Sequence, residues 1–586
     1  MDDATLHPPV TRRLATSIGG IAIAGLASVL AYAPFDQFYL AWIAAVPVLW
    51  LVANSRTAWS AAGTGFAFGL VYFGTNLWYL WYIGPLPLLG AVLYLALFPM
   101  MFAVFWRPMA RRRDVWSVVT AAAMWVAIDW LRAVLPFGLP YVFLGHAQSP
   151  MLAMTQIADI AGVYGITFWV LLVNGIVWLA IEHRGQKSAW SRSSLRHPER
   201  SRGTSPDGDR ADQARSFDSL RSLRMTDQGA PCSLLRSLTP TLAMILATTI
   251  ALASYGTWRL AERDFKPGPN VALLQPHFEL LNTEPVDGAA LIQWLAAETS
   301  RAVTNSTEPV DLVVWPESSV SSLNEEARRE MAGSQIGQVA NEVHTWLSTL
   351  SSQGPDLLVG ASAREGITIR DNRYVADDRF NSVFHYTSGG VADARYDKAH
   401  LFPFGEYIPF GTQPWPIVYL HDFFQLFNPW GGDHELTPGT DDTVFTIAGS
   451  RVIAPICFED IVPPRVRDLA YDGTTKRADV LVNVTNDGWF RGNQMAQHLQ
   501  AASFRSIENR IPTARSVNNG VSAIVDPDGR IRSSVPAATP GSLVGRVMLD
   551  DRTAPYGIIG DVFAYACVAA TTLITLIRLI PRRTAS

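Results

Sequence analysis

The chain is short of cysteine and short of charge. Three cysteines in 586 residues, Cys232, Cys457 and Cys567, are too few and too scattered for a disulfide framework or a cysteine zinc site. Charged residues make up 17%, against roughly a quarter in an ordinary soluble domain. The net charge of −4 excludes a strongly basic nucleic-acid binder and an acidic solvating tail alike. No HExxH or CxxC spacing offers a metal site, and no glycine fingerprint follows a strand-like run to hold a dinucleotide. No metal, no cofactor and no nucleic-acid partner is expected.

Apolar and aromatic residues are abundant instead: 49% of the chain is hydrophobic, with 19 Trp, 27 Phe and 17 Tyr. Crossing a bilayer core of about 30 Å takes about 20 apolar residues. Eight runs approach that length, near 14–34, 38–54, 60–83, 86–106, 115–134, 160–182, 238–257 and 557–580. The second is short and holds Pro47, and the fifth carries Asp129 and Arg132. Lys and Arg stay cytoplasmic. Arg12 and Arg13 precede the first run, Arg107 and Arg111–Arg113 follow the fourth, and Arg578, Arg582 and Arg583 follow the eighth, while the alternate loops near 35–38 and 84–87 carry neither residue. Both termini are therefore expected inside, and 258–555 outside the cytoplasm. The expected organisation is six transmembrane helices in 1–182, an unstructured cytoplasmic insertion at 183–237, a seventh helix at 238–257, a soluble domain at 258–555, and an eighth helix with its tail at 556–586. The insertion is rich in Ser, Arg, Asp and Gly and has too little apolar surface to offset the entropy of ordering. The segment 134–158, apolar but broken by Pro and Gly, reads as surface-lying or re-entrant.

The soluble part reads as α/β. Strand-like runs fall at 271–275, 311–315, 357–360, 451–456, 479–484 and 522–525, with helical stretches at 287–305, 324–352 and 496–510 between some of them, which argues for a sheet layered with helices. Polar residues stand at the ends of such strands, where α/β folds gather their sites. Glu317 ends DLVVWPE, Lys398 lies in YDKAHLFPFGEYIP, and Cys457 follows VIAPI. The trio makes chemical sense. A thiolate is the nucleophile, a carboxylate in reach takes its proton, and an ammonium steadies the thiolate and the oxyanion beside the backbone N–H of Phe458. Cys457 is also the lone cysteine of a segment placed where thiols tend to pair. A Cys–His mechanism competes, but none of His277, His344, His385, His400, His421, His434 or His498 sits in a comparable motif.

VVWPES, YDKAHLFPFGEYIP and PICFED, in this order, resemble the Glu-Lys-Cys motifs of the nitrilase (carbon–nitrogen hydrolase) superfamily, and TNDGWF and RSVNNGVSAIVDPDGR resemble its later ones. APF at 33–35, DWLR at 129–132 and QIADIAGVYGITFWVLLVN at 156–174 extend the resemblance to the bacterial apolipoprotein N-acyltransferases. The resemblance implies a multispan helical bundle carrying an αββα sandwich on the periplasmic face of the inner membrane. It implies ping-pong acyl transfer from a phospholipid, through a thioester on Cys457, to the amine of a diacylated apolipoprotein. Glu317 is then the general base and Lys398 the stabiliser of the oxyanion. Glu406 and Glu459 match supporting positions, and Glu459 is expected to hydrogen-bond Lys398. Phe458 stands where the family often has Tyr, so only its backbone N–H is expected to serve.

The stretch 409–430 holds Trp415, Phe423, Phe424, Phe427 and Trp430, too many aromatics for an ordinary solvated loop. It is read as a mobile lid that contacts acyl chains and shields the thioester from water. A membrane-tethered amidase using the same triad is the alternative, and a transporter or scaffold with a degenerate domain is a third reading. A monomer is expected.

Overall fold

The structure is a computed structural model and describes residues 10–135, 137–194, 230–278, 288–387, 392–411, 416–425, 435–489 and 491–579. Helices cover all eight apolar runs. Among the described residues four are long and apolar enough to cross a membrane, Pro85–Ala110, Val115–Val134, Ala158–His183 and Thr241–Ala261, and Ser17–Ala31, Phe38–Ala53 and Val562–Ile577 are apolar but shorter. Pro47 explains one break. It stands in the first turn of helix Val46–Ala53, where its missing N–H costs nothing, and the run divides just before it. Asp129 and Arg132 do not break theirs. They face each other at 3.1 Å, both buried, so neither charge is presented to lipid. Helices Ala58–Asn76 and Pro85–Ala110 pack closely because Gly65 and Gly69 lack side chains. A Cβ there would lie 2.3 Å from the Pro99 carbonyl oxygen or 2.6 Å from the Ala96 Cα, the small-xxx-small contact of membrane helices. Ile18, Leu26, Leu89, Leu97, Ile250 and Leu576 point outward from the bundle, exposed.

The described residues between Val134 and Ala158 form no long helix, only short turns at His146–Gln148 and Leu152–Thr155. The Arg132 guanidinium holds this segment by donating to the carbonyls of Leu139 and Tyr141, at 3.0 and 2.7 Å. Of the expected insertion, residues 195–229 lie outside the described residues. The helix before it runs on to Ser194 and the next begins at Ala230.

The second half is a sandwich of two six-stranded sheets. In chain order the strands are β1 (Lys266–Gln275), β2 (Leu312–Val320), β3 (Asp356–Glu365), β4 (Asp378–Tyr386), β5 (Ala392–Asp397), β6 (Phe445–Ile447), β7 (Ser450–Ile453), β8 (Val480–Thr485), β9 (Thr513–Val517), β10 (Ser522–Val525), β11 (Ile531–Val535) and β12 (Gly541–Leu549). One sheet has the order β12-β1-β2-β3-β4-β5, the other β11-β10-β9-β8-β7-β6. The central strands of each run parallel. Val271, Leu273, Leu312 and Val314 of one sheet meet Val452, Val480, Val482 and Ala514 of the other in a dry interface. On the outer face of the first sheet lie helices Gly288–Asn305 and Gln335–Gln353. The helix expected over 324–352 is two, because Ser334 ends one turn and caps the next, its hydroxyl accepting from the Gly337 N–H at 3.1 Å.

Helix Gln494–Asn509 covers the other sheet and is buried at every position but Ala496, which is partly exposed. An amphipathic helix on a sheet normally keeps one face in water. Here Phe504 and Ile507 pack against Phe143, Val163, Ile166 and Ala564 of the helical bundle. Polar groups close the same seam. Glu508 accepts from the Val163 N–H at 3.0 Å, Gln500 from the Ala33 N–H at 3.2 Å, and Arg510 donates to Asp159 and Gln156. Asp159 also receives Arg259 at 2.8 Å, so the motif at 156–174 belongs to this joint.

Candidate active site

Glu317 lies where the pairing of β2 with β3 slips between Trp315 and Val320, an irregularity of the kind that re-aims a side chain. Gly360 of β3 makes room for it, since a Cβ there would meet the Pro316 carbonyl oxygen at 2.4 Å. Lys398 follows the end of β5, and its backbone N–H donates to the Asn381 carbonyl at 2.8 Å. Cys457 begins the short turn Cys457–Ile461 just past β7, with φ +51°. A non-glycine residue held in that region stores strain, and the sharp turn exposes the thiol at a strand end as a nucleophile elbow does.

The three side chains come together as the motifs predict. The Cys457 thiol faces the Glu317 carboxylate. The Lys398 ammonium, 1% exposed, donates to Glu406 at 2.8 Å and faces both Glu317 and Cys457. Burial lifts Glu317 above the usual carboxylate range, against the pull of Lys398. Burial, and then the Glu317 charge, push the Cys457 thiol well above its ordinary value. Cys457 thus rests as a thiol, beside a carboxylate able to take its proton. Burial alone would strip the Lys398 ammonium, but Glu406, Cys457 and Glu317 outweigh it and keep the group charged. His400, pushed down to about 4 by burial and by Lys398, is neutral and lies against the Phe458 ring at 5.9 Å, so no His–Cys pair forms there.

The supporting carboxylates divide their work. Glu406 holds Lys398 and accepts from Asn381 at 3.1 Å and from the Phe402 N–H at 2.7 Å. Glu459 does not do what its motif suggests. Its partners are the Tyr396 hydroxyl, the backbone N–H groups of Ala399, His400 and Ile456 at 2.8–3.0 Å, and Arg465 at 3.4 Å, rather than the Lys398 ammonium. A fully buried carboxylate two residues past the nucleophile meets the backbone on either side of it first, and so ties the lysine loop to the cysteine turn. Asn381 and the Asn486 N–H, which sequence patterns did not reveal, donate to the two Glu317 oxygens at 2.6 and 2.7 Å.

Glu406→Gln is expected to lower kcat roughly 10- to 100-fold, with little change in KM. Both Glu406 oxygens face donors, so an amide NH2 opposes one whichever way it turns, and a charge-assisted hydrogen bond worth about 1.5–3 kcal/mol is lost. Steady-state kinetics on the purified variant read both parameters.

A cavity of about 430 Å³ opens over Cys457. Glu317, Lys398, Phe402 and Phe458 line it from the sandwich, and Tyr79, Ile83, Leu139 and Tyr141 from the helical half. Phe423 and Phe424 lie on helix Val418–Gln425 beside the cavity rather than in its wall. Phe424 packs against Phe137, Phe404 and Phe410 at 5.3–6.3 Å, and Phe423 is 51% exposed. Trp415, Phe427 and Trp430 lie outside the described residues. Among the described residues no group of three His, Cys, Asp or Glu side chains is placed to hold a metal.

A two-sheet sandwich with helices outside and Glu, Lys and Cys at its strand ends is the architecture of a carbon–nitrogen hydrolase, and the family model of that description matches residues 270–554. The model described as the apolipoprotein N-acyltransferase N-terminal domain matches residues 24–176. Curated apolipoprotein N-acyltransferases align over nearly the whole chain. That of Geobacter metallireducens is 28% identical over 91% of this chain and 90% of its own, and that of Bradyrhizobium diazoefficiens 27% identical over 96% and 94%. The protein from Pseudomonas putida is 26% identical over 91% of each. Over nearly its whole length the chain is similar to the apolipoprotein N-acyltransferases, and it is an acyltransferase.

Proposed function

We propose that the protein moves an acyl chain from a phospholipid to the α-amine of the N-terminal diacylglyceryl-cysteine of an apolipoprotein, through a thioester on Cys457. In the first half-reaction the thiol proton passes to Glu317 as sulfur attacks the ester carbonyl of the lipid. Lys398 and the Phe458 N–H stabilise the oxyanion. Collapse expels the lysophospholipid alkoxide, which takes the proton back from Glu317. The acceptor amine then attacks the thioester, Glu317 takes the ammonium proton, and the thiolate leaves and is reprotonated. Glu406 and Asn381 position Lys398 and Glu317, and Glu459 positions the loops that carry Lys398 and Cys457.

The observation that carries this reading over a tethered amidase is the mixed wall of the cavity. Residues of the apolar helical half form one side of the space above the thiol, as a substrate arriving from the bilayer requires and a small soluble amide does not. We further propose that all eight helices span the inner membrane of a bacterial cell, with both termini cytoplasmic and the sandwich on the periplasmic side. The protein acts as a monomer in this reading, and helix Val418–Gln425 with its aromatic side chains closes over the cavity.

Peptide mass spectrometry after incubation with phospholipid alone tests the function. A fatty-acyl mass on the Cys457 peptide is expected, removed by hydroxylamine and discharged by a diacylated lipopeptide. No adduct on a thiol that still reacts with a small alkylator would favour the amidase.

The acylation rate is also expected to fall on the acid side at a pH above the ordinary glutamate value. Glu317 must be ionised to accept the thiol proton, and its folded carboxyl holds a proton to higher pH than free glutamate does. The base is therefore fully available above that folded value and is lost as pH falls through it. Rates of thioester formation between about pH 4 and 8 show the limb, and one at the free-glutamate position would remove the assignment.

A further inference from the structure

Beside the turn that carries Cys457 lies a second charged cluster that the steps above do not use. His498, on helix Gln494–Asn509, points its Nε2 at Asp460 Oδ1 and its Nδ1 at Asp487 Oδ1, at 2.8 and 2.9 Å. Arg515 of β9 faces the second oxygens of the same two carboxylates, at 3.2 and 3.6 Å. All four side chains are nearly inaccessible. Asp460 lies three residues past Cys457 in the same turn, and Asp487 opens the turn Asp487–Trp489. Arg515 also donates to Asn483, whose amide in turn donates to the Cys457 carbonyl at 3.3 Å. His498 itself lines the cavity.

Two carboxylate oxygens on the two ring nitrogens leave one consistent protonation state. A neutral imidazole has one donor and one acceptor nitrogen, so one nitrogen would oppose a carboxylate lone pair; the imidazolium donates at both. The quartet is then two cations against two anions, as buried charge demands. Burial and Arg515 work against the ring's charge, and Asp460 and Asp487 outweigh them, raising His498 to about 9. Those three are the charged groups that face the ring among the described residues.

We propose that His498 is a positioning residue whose doubly donating imidazolium locks the Cys457–Ile461 turn to the 487–489 turn, so that the Phe458 N–H is set for the oxyanion only while the ring is charged. The inference rests on the acyl-transfer role proposed for Cys457. Loss of the ring proton turns one donor nitrogen into an acceptor facing a carboxylate. It leaves the quartet with a net negative charge next to the nascent oxyanion and frees the turn that carries its donor. Thiol deprotonation by Glu317 uses neither feature. Lys398, held charged by the Glu406 and Glu317 carboxylates, stays protonated throughout.

Two rates on the full chain in detergent micelles separate these effects: acylation of Cys457 by phospholipid, which needs the oxyanion site, and alkylation by iodoacetamide, which does not. In the wild type the ratio of acylation to alkylation is expected to fall at least about tenfold between about pH 7 and 10. In His498→Gln acylation near neutral pH is expected to drop roughly 10²-fold, the scale of one lost oxyanion donor, while alkylation changes less than about threefold. The pH dependence of the ratio is expected to disappear in that variant. A pH-independent ratio in the wild type, which no folding defect can imitate, overturns the proposal. So does a parallel loss of both rates in the variant, which would mark His498 as merely structural. Absence of any acyl adduct on wild-type Cys457 with alkylation intact removes the proposed function, and this inference with it.

Discussion

Cys457→Ala is expected to leave a folded protein that forms no acyl adduct and turns over roughly 10⁶-fold more slowly, the scale seen when a covalent nucleophile is removed. Alanine asks no more of the backbone than cysteine does at φ +51°, since both carry a Cβ. The half-buried thiol borders the cavity at the edge of the core, so its loss opens little new buried space and the melting temperature should move only slightly. Cys457→Ser is expected to keep at most a trace of activity. Its hydroxyl has the right geometry, but it is far less ionised than a thiol near neutral pH and hands Glu317 a much harder proton. Thioester mass on the Cys457 peptide, release of lysophospholipid and the thermal midpoint check the three parts. Wild-type lysophospholipid release from the alanine variant would remove Cys457 as the nucleophile.

Glu317→Gln is the second large effect. General-base removal costs about 10²–10⁴-fold, and the surroundings of this carboxylate place the variant toward the upper end. One oxygen accepts from Asn381 at 2.6 Å and the other from the Asn486 N–H at 2.7 Å. A glutamine amide has a single acceptor end, so its NH2 must oppose one of these donors and the side chain turns away from the thiol. With one anion gone, Lys398 keeps Glu406 but no longer faces a carboxylate across the thiol. Acylation and alkylation of Cys457 should both fall, because both need the thiol proton removed. That pattern differs from the selective loss expected at His498. Acylation at the wild-type rate in Glu317→Gln would end the base assignment.

The proposed triad stood out in the sequence because each member interrupts an apolar strand or its exit, and a polar residue is conspicuous against such a background. Its support did not. Asn381 lies on β4, opposite Ser362 of β3, and reaches Glu317 only through that register. His498 and Arg515 come from a helix and a strand whose buried faces are polar, so periodicity does not mark them as core. The strand Thr513–Val517 escaped for the same reason, since Arg515 and Ser516 break its apolar run although all five residues are buried. Glu459 shows the complementary error. Adjacency to the nucleophile suggested Lys398 as its partner, but backbone N–H groups lay nearer. In the helical half Asp129 and Arg132 weighed against a span when counted singly, and the buried pair removes the objection because the two charges satisfy each other.

Helix Gln494–Asn509 is buried at all but one of its positions. An excised sandwich would bare Phe504, Ile507 and the Arg510–Asp159 contact, exposing apolar surface and unpaired charge in one stroke. Such a fragment should aggregate rather than work as a soluble hydrolase. The helical half is therefore not a mooring that can be exchanged for another anchor.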